Sequence, residues 1–61
     1  MVEMTRRQEE VLALLRRGLR NKEIARELGI SWRTVKVHVS RVLLLRGCRD
    51  RLELLAREVA K

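Results

Sequence analysis

The sequence predicts an all-α fold of four short helices. Three observations point there. Apolar residues recur at helical spacing along most of the chain rather than in strand-like alternation. The first three apolar stretches each close on a glycine, at Gly18, Gly29 and Gly47. Finally, there is no Pro, Phe or Tyr and a single Trp, so the core must be built from Leu, Val, Ile and Ala. At 61 residues the chain is one small domain, read as spanning 1–61 with 1–4 as a flexible lead-in.

Each element has its own signals. Thr5 and Gln8 form a capping box that opens the first helix. Val11, Leu12, Leu14 and Leu15 give that helix its apolar stripe, and Arg16 and Arg17 suit the negative end of its dipole. Asn21 is the expected N-cap of the second helix, which runs to about Leu28. Ser31 caps the third helix, which runs to Arg46. Asp50 and Glu53 resemble a capping box for the fourth, which runs to about Ala60. Leu52, Leu55, Ala56 and Val59 are expected to form the core face of the fourth helix, leaving Leu54 outside it.

The formal net charge of +7 implies an anionic partner, with nucleic acid first in line. Its distribution says more than its sum. No acidic residue occurs between Leu28 and Arg49, a stretch that carries Arg33, Lys36, Arg41, Arg46 and Arg49. A single cysteine excludes an internal disulfide and a cysteine-based zinc site, and His38 cannot supply the missing ligands. No cofactor and no metal is expected. No signal peptide or apolar run of spanning length occurs, so a cytoplasmic location and no membrane association are expected. No Gly-rich phosphate loop, buried carboxylate pair or paired His and Cys is evident, so the chain does not read as an enzyme.

The stretch from Asn21 to Gly47 has the outline of a helix-turn-helix. Ala25 is the small residue that lets two helix backbones approach, and Gly29 is the residue that tolerates a positive φ in the turn. Ile24, Leu28, Ile30 and Val35 supply the inner faces. Taking Val35 as the core direction, a rotation of about 100° per residue brings Val39, Val42 and Arg46 to the same side. Arg33, Lys36, Val37, Ser40, Arg41 and Leu44 fall on the far side. The first five make a plausible groove face of cations, a hydroxyl and a small apolar group.

The strings Asn21-Lys22-Glu23-Ile24-Ala25, Leu28-Gly29-Ile30-Ser31 and Thr34-Val35-Lys36-Val37-His38-Val39 resemble the LuxR/FixJ (GerE-type) DNA-binding domain. The resemblance extends upstream through Met4-Thr5, Arg7, Glu10-Val11-Leu12 and Gly18, and downstream through Val42, Gly47 and Arg51. It implies a four-helix LuxR-type helix-turn-helix domain that binds double-stranded DNA in transcription regulation. It also implies a weak homodimer built on the fourth helix and inverted half-sites. The chain has no room for the receiver or ligand-sensing domain that relatives commonly carry, so it resembles the stand-alone members or is a fragment.

Side-chain chemistry and the resemblance agree on the bases. Lys36 can donate to guanine, Val37 can touch a thymine methyl and Ser40 can bond to either kind of base. Backbone contacts are expected from Lys22, Ser31, Arg33, Thr34 and Arg41, with Arg51 added to the set. Lys22 sits at a helix start, where the dipole disfavours a cation. It is either a phosphate ligand or a solvated side chain. Trp32 either packs on the sugar–phosphate backbone or covers the edge of a thin core. His38 reads as a packing and hydrogen-bonding residue, and Cys48 as a small core hydrophobe.

Two features fit less well. Relatives usually end the third helix with Lys-Leu-Gly, whereas this chain has Leu45-Arg46-Gly47. Arg46 thus takes a core-facing slot and must either snorkel, or yield the slot to Leu45. Leu43 to Leu45 is unusually apolar, and Leu44 and Leu54 are the expected dimer or partner surface. The alternative function is therefore a small basic adaptor that binds a protein such as RNA polymerase through the leucine-rich end of the third helix.

Overall fold

The computed structural model describes residues 3–59, with side chains described as far as Arg57. Four helices follow one another, with no strand among the described residues: α1 (Arg6–Arg16), α2 (Asn21–Leu28), α3 (Trp32–Arg46) and α4 (Arg51–Val59). The expectations placed on Met1, Val2, the side chain of Val59 and the end of the last helix at Ala60 lie outside the described residues.

Local chemistry sets the boundaries. Thr5 Oγ1 accepts from the Gln8 N–H while Gln8 Oε1 accepts from the Thr5 N–H, the reciprocal box the sequence implies. Ser31 Oγ accepts from the Thr34 N–H at 3.1 Å to open α3. Asp50 Oδ1 accepts from the Glu53 N–H at 2.9 Å to open α4. The C-terminal ends of α1, α2 and α3 share one device. Gly18, Gly29 and Gly47 take φ of +84°, +68° and +67°, and the N–H of the following residue reaches back into the helix. Leu19 donates to Leu14 O, Ile30 to Ala25 O and Cys48 to Leu43 O, at 3.2, 3.0 and 2.9 Å. This is the Schellman arrangement, in which a left-handed residue satisfies carbonyls that the helix leaves free. Each apolar residue after the glycine then folds onto the core.

The core is aliphatic and continuous. Val11, Leu12, Leu14 and Leu15 of α1 meet Ile24 and Ala25 of α2, Val35, Val39 and Val42 of α3, and Leu54 of α4, with Cys48 filling in behind. Helix α3 packs against both α1 and α2, and α4 closes over α1 and α3. At about 1.5–3 kcal/mol for each fully buried Leu, Ile or Val, this set is the main source of stability.

Three expectations are corrected. Met4, assigned to a flexible lead-in, is half-buried and packs on the core. Asn21 does not cap α2, because that place falls to Arg20, whose N–H donates to Glu23 Oε1. The Asn21 side chain instead accepts from Arg51 Nη1 at 2.9 Å. Arg46 is half-buried and α3 runs through it to close on Gly47, as the snorkelling alternative requires.

The third correction is the rotation of α4. Leu54, offered as a dimer or partner surface, is 0% exposed, whereas Leu52, offered as core, is 79% exposed. Arg51 is the physical reason. Its guanidinium turns inward to donate to Asn21 Oδ1 and to the carbonyl of Leu19 in the link before α2. With Arg51 facing inward, the residues at helical spacing from it, Leu54 and Leu55, face the core as well. Leu52 and Ala56 are carried outward.

Leu54→Ala is expected to cost about 2–5 kcal/mol in urea unfolding, and Leu54→Val less. Leu52→Ala should stay within about 0.5 kcal/mol of the parent. The reverse order would restore the face read from the sequence.

Candidate nucleic-acid interface

Helix α3 gives one face to the core and leaves the other open. Val35, Val39 and Val42, at i, i+4 and i+7, are buried. Arg33, Lys36, Val37, Ser40 and Arg41, off this seam, are all exposed, and Val37 reaches 55%. Trp32, Arg33, Lys36, Val37 and Ser40 line one shallow concavity along the outer side of α3. The three residues read as base contacts therefore share one surface, with a methyl-bearing side chain between a cation and a hydroxyl.

A second, larger cleft lies where the start of α2 meets the start of α3. Arg20, Asn21, Lys22, Glu23, Arg26, Trp32, Lys36 and Arg51 line it. Lys22 is exposed there, and Lys36 and Trp32 belong to both concavities. The site assignment had missed Arg20 and Arg26. Arg26 follows Lys22 by four residues, so helical spacing alone puts the two on one face. Arg20 flanks the start of α2, where an anion would be drawn.

The first turn of α3 contains no acidic residue. Its positive dipole end thus meets Arg33 and Lys36 with no carboxylate of its own turn to offset them. That arrangement suits a phosphate. Ser31 and Thr34 are exposed at this end, and their hydroxyls share a hydrogen bond of 2.9 Å. The expected backbone-contact set does not all meet in one place. Arg41 lines a separate hollow with Glu3, Thr5, Gln8, Leu44 and Leu45. Arg51 faces the α2–α3 cleft, but two of its guanidinium nitrogens are engaged by Asn21 and Leu19, so it first ties α4 to the α1–α2 link.

Trp32 is 43% exposed, so the core covers only part of it. Its indole carries Lys36 Nζ 5.3 Å and Arg33 Cζ 5.7 Å from the ring centroid. His38 is half-buried and Cys48 is buried. No group of His, Cys, Asp and Glu side chains among the described residues could hold a metal ion. No helix among them is long and apolar enough to cross a membrane.

A family model described as GerE, bacterial regulatory proteins of the luxR family, matches residues 2–57. The chain belongs to this family. GerE domains are DNA-binding transcription regulators and not a class of enzyme, and the four helices described above have their helix-turn-helix form. The chain is 58% identical over 41 residues to the C4-dicarboxylate transport transcriptional regulatory protein DctR of Rhodobacter capsulatus, covering 67% of this chain and 21% of that protein. It is 47% identical over 53 residues to the transcriptional regulatory protein LnrK of Bacillus subtilis, covering 87% of this chain and 24% of that protein. It is 43% identical over 51 residues to the nitrate/nitrite response regulator protein NarL of Escherichia coli, covering 84% of this chain and 24% of that protein. The chain thus spans less than a quarter of the length of these relatives. No solved structure matches it at a significant level.

Proposed function

We propose that this GerE domain recognises a specific double-stranded DNA sequence with α3 in the major groove. The observation that carries the reading is the division of α3 by its valine seam. A buried face holds the helix to α1 and α2, and the opposite face offers Lys36, Val37 and Ser40 together on one surface. Lys36 donates to guanine O6 or N7, Val37 meets a thymine methyl, and Ser40 bonds to a neighbouring base edge. Lys22, Ser31, Arg33 and Thr34 contact phosphates around the α2–α3 junction, and Arg20 and Arg26 extend that cationic surface. Arg41 contacts the backbone farther along α3. Arg51 acts chiefly by fixing α4. The setting is transcription regulation in the cytoplasm.

The dimer surface is proposed on the outer side of α4. Leu52 and Ala56 are exposed there on successive turns, so they take the place first given to Leu54. Two copies joined this way would present two α3 helices to inverted half-sites.

A second reading has its own observation. Leu44 is 77% exposed and lines a hollow with Leu45, Arg41 and the start of α1, on a different part of the surface from the α2–α3 cleft. In that reading the domain is an adaptor for a protein such as RNA polymerase.

Selection from a randomised duplex library at physiological salt separates the two. The DNA reading expects an enriched, two-fold symmetric site, with Lys36→Ala/Val37→Ala losing about 10–100-fold of specific affinity. Sequence-blind binding with a steep salt dependence would overturn it. Sedimentation on the selected site should give a dimer for the parent and a monomer for Leu52→Glu. A strict parent monomer, free and on DNA, would remove the dimer proposal.

A further inference from the structure

Trp32 occupies the first position of α3, and Lys36 lies one turn further on. The indole is not absorbed by the core, since 43% of the residue is exposed. Trp32 and Lys36 together form the wall shared by the α3 groove and the α2–α3 cleft. Lys36 Nζ lies 5.3 Å from the ring centroid, within the range at which an ammonium is attracted to the face of an indole. Arg33 Cζ lies 5.7 Å from the same centroid.

Two physical effects make this contact matter. A lysine ammonium on four rotatable bonds surrenders most of its freedom when it is fixed against a base. Holding it beforehand reduces that loss on binding. In addition, Lys36 and Arg33 crowd the positive end of the α3 dipole, where cations repel one another and the helix. The negative face of the indole offsets that repulsion without introducing a carboxylate, which would also repel phosphate.

We infer that Trp32 is a positioning residue for base reading: its indole holds the Lys36 ammonium at the boundary between groove and cleft, so that Lys36 meets DNA already ordered. The inference rests on the proposal that Lys36 contacts bases. An ammonium has three N–H donors, so Nζ can face the ring and still direct donors to a guanine edge. Trp32 acts on specificity through Lys36 and not by reading DNA itself.

The test is a two-residue cycle on the selected site and on a scrambled duplex, using the parent, Trp32→Leu, Lys36→Ala and the double variant. Trp32→Leu should lower the specific-to-scrambled affinity ratio about two- to fivefold when Lys36 is present. It should leave that ratio unchanged in the Lys36→Ala background. Trp32→Phe, which keeps an aromatic face and guards against a folding defect, should restore most of the ratio. In the free protein, the Lys36 ε-methylene protons should be shifted upfield by the indole ring current, and the shift should vanish in Trp32→Leu. Equal losses with and without Lys36 would show that the indole touches DNA directly and would overturn the inference. So would an unchanged ratio in Trp32→Leu, or the absence of the upfield shift. A parent protein with no sequence preference would instead overturn the DNA-reading proposal, so the two failures are distinct.

Discussion

The valine seam of α3 is the constraint on which the rest of the structure depends. Val35, Val39 and Val42 are buried between α1, α2 and the residues behind them. Once that face is committed, the helix cannot rotate without moving valines into water and cations into the core. Either change would cost several kcal/mol in a domain whose whole stability is of the order of 5 kcal/mol. The exposed face follows from the buried one. Lys36, Val37 and Ser40 share a surface because they lie between the seam positions.

The second determinant is how the chain turns between helices. Gly29 closes α2 in the left-handed region, and Ile30 bonds back to Ala25 and packs on the core. The small side chain of Ala25 is buried at that junction. These residues set the direction in which α3 leaves and bring its first turn beside the start of α2. The basic cleft is a product of that geometry. Lys22 and Arg26 belong to α2, Trp32 and Lys36 belong to α3, and all four line the cleft. A side chain in place of hydrogen at Gly29 would meet no neighbouring atom, so the demand there is one of backbone conformation and not of space.

Much of this was legible in the sequence because it is local. A cap is read three residues ahead, a glycine stop five residues back, and the α3 seam from valines at helical spacing. The rotation of α4 was not legible. Leu52, Leu55, Ala56 and Val59 make a more apolar face than the one that is buried, and the choice falls to Arg51. Its partners, Asn21 and Leu19, are 30 and 32 residues away in the chain. The same contact explains why Asn21, a good N-cap by type, is used elsewhere. Within the site, the groove face of α3 was read directly. Arg26 and the Trp32–Lys36 contact are also local, each an i, i+4 pair within one helix, whereas the cleft that gathers Arg20, Arg26, Trp32 and Lys36 needed the packing of α2 against α3. The distinction matters for the proposed function, because the residues proposed to face DNA depend on the legible part and the proposed dimer surface depends on the illegible part.

In the proposed function the outer face of α3 reads bases from the major groove through Lys36. Methylation interference on the selected duplex tests it most directly, since a methyl group on guanine N7 lies in that groove and blocks one acceptor. One guanine in each half-site is expected whose methylation impairs the parent protein but has no further effect on Lys36→Ala. Interference that is the same for both proteins, or absent from every guanine, would contradict it.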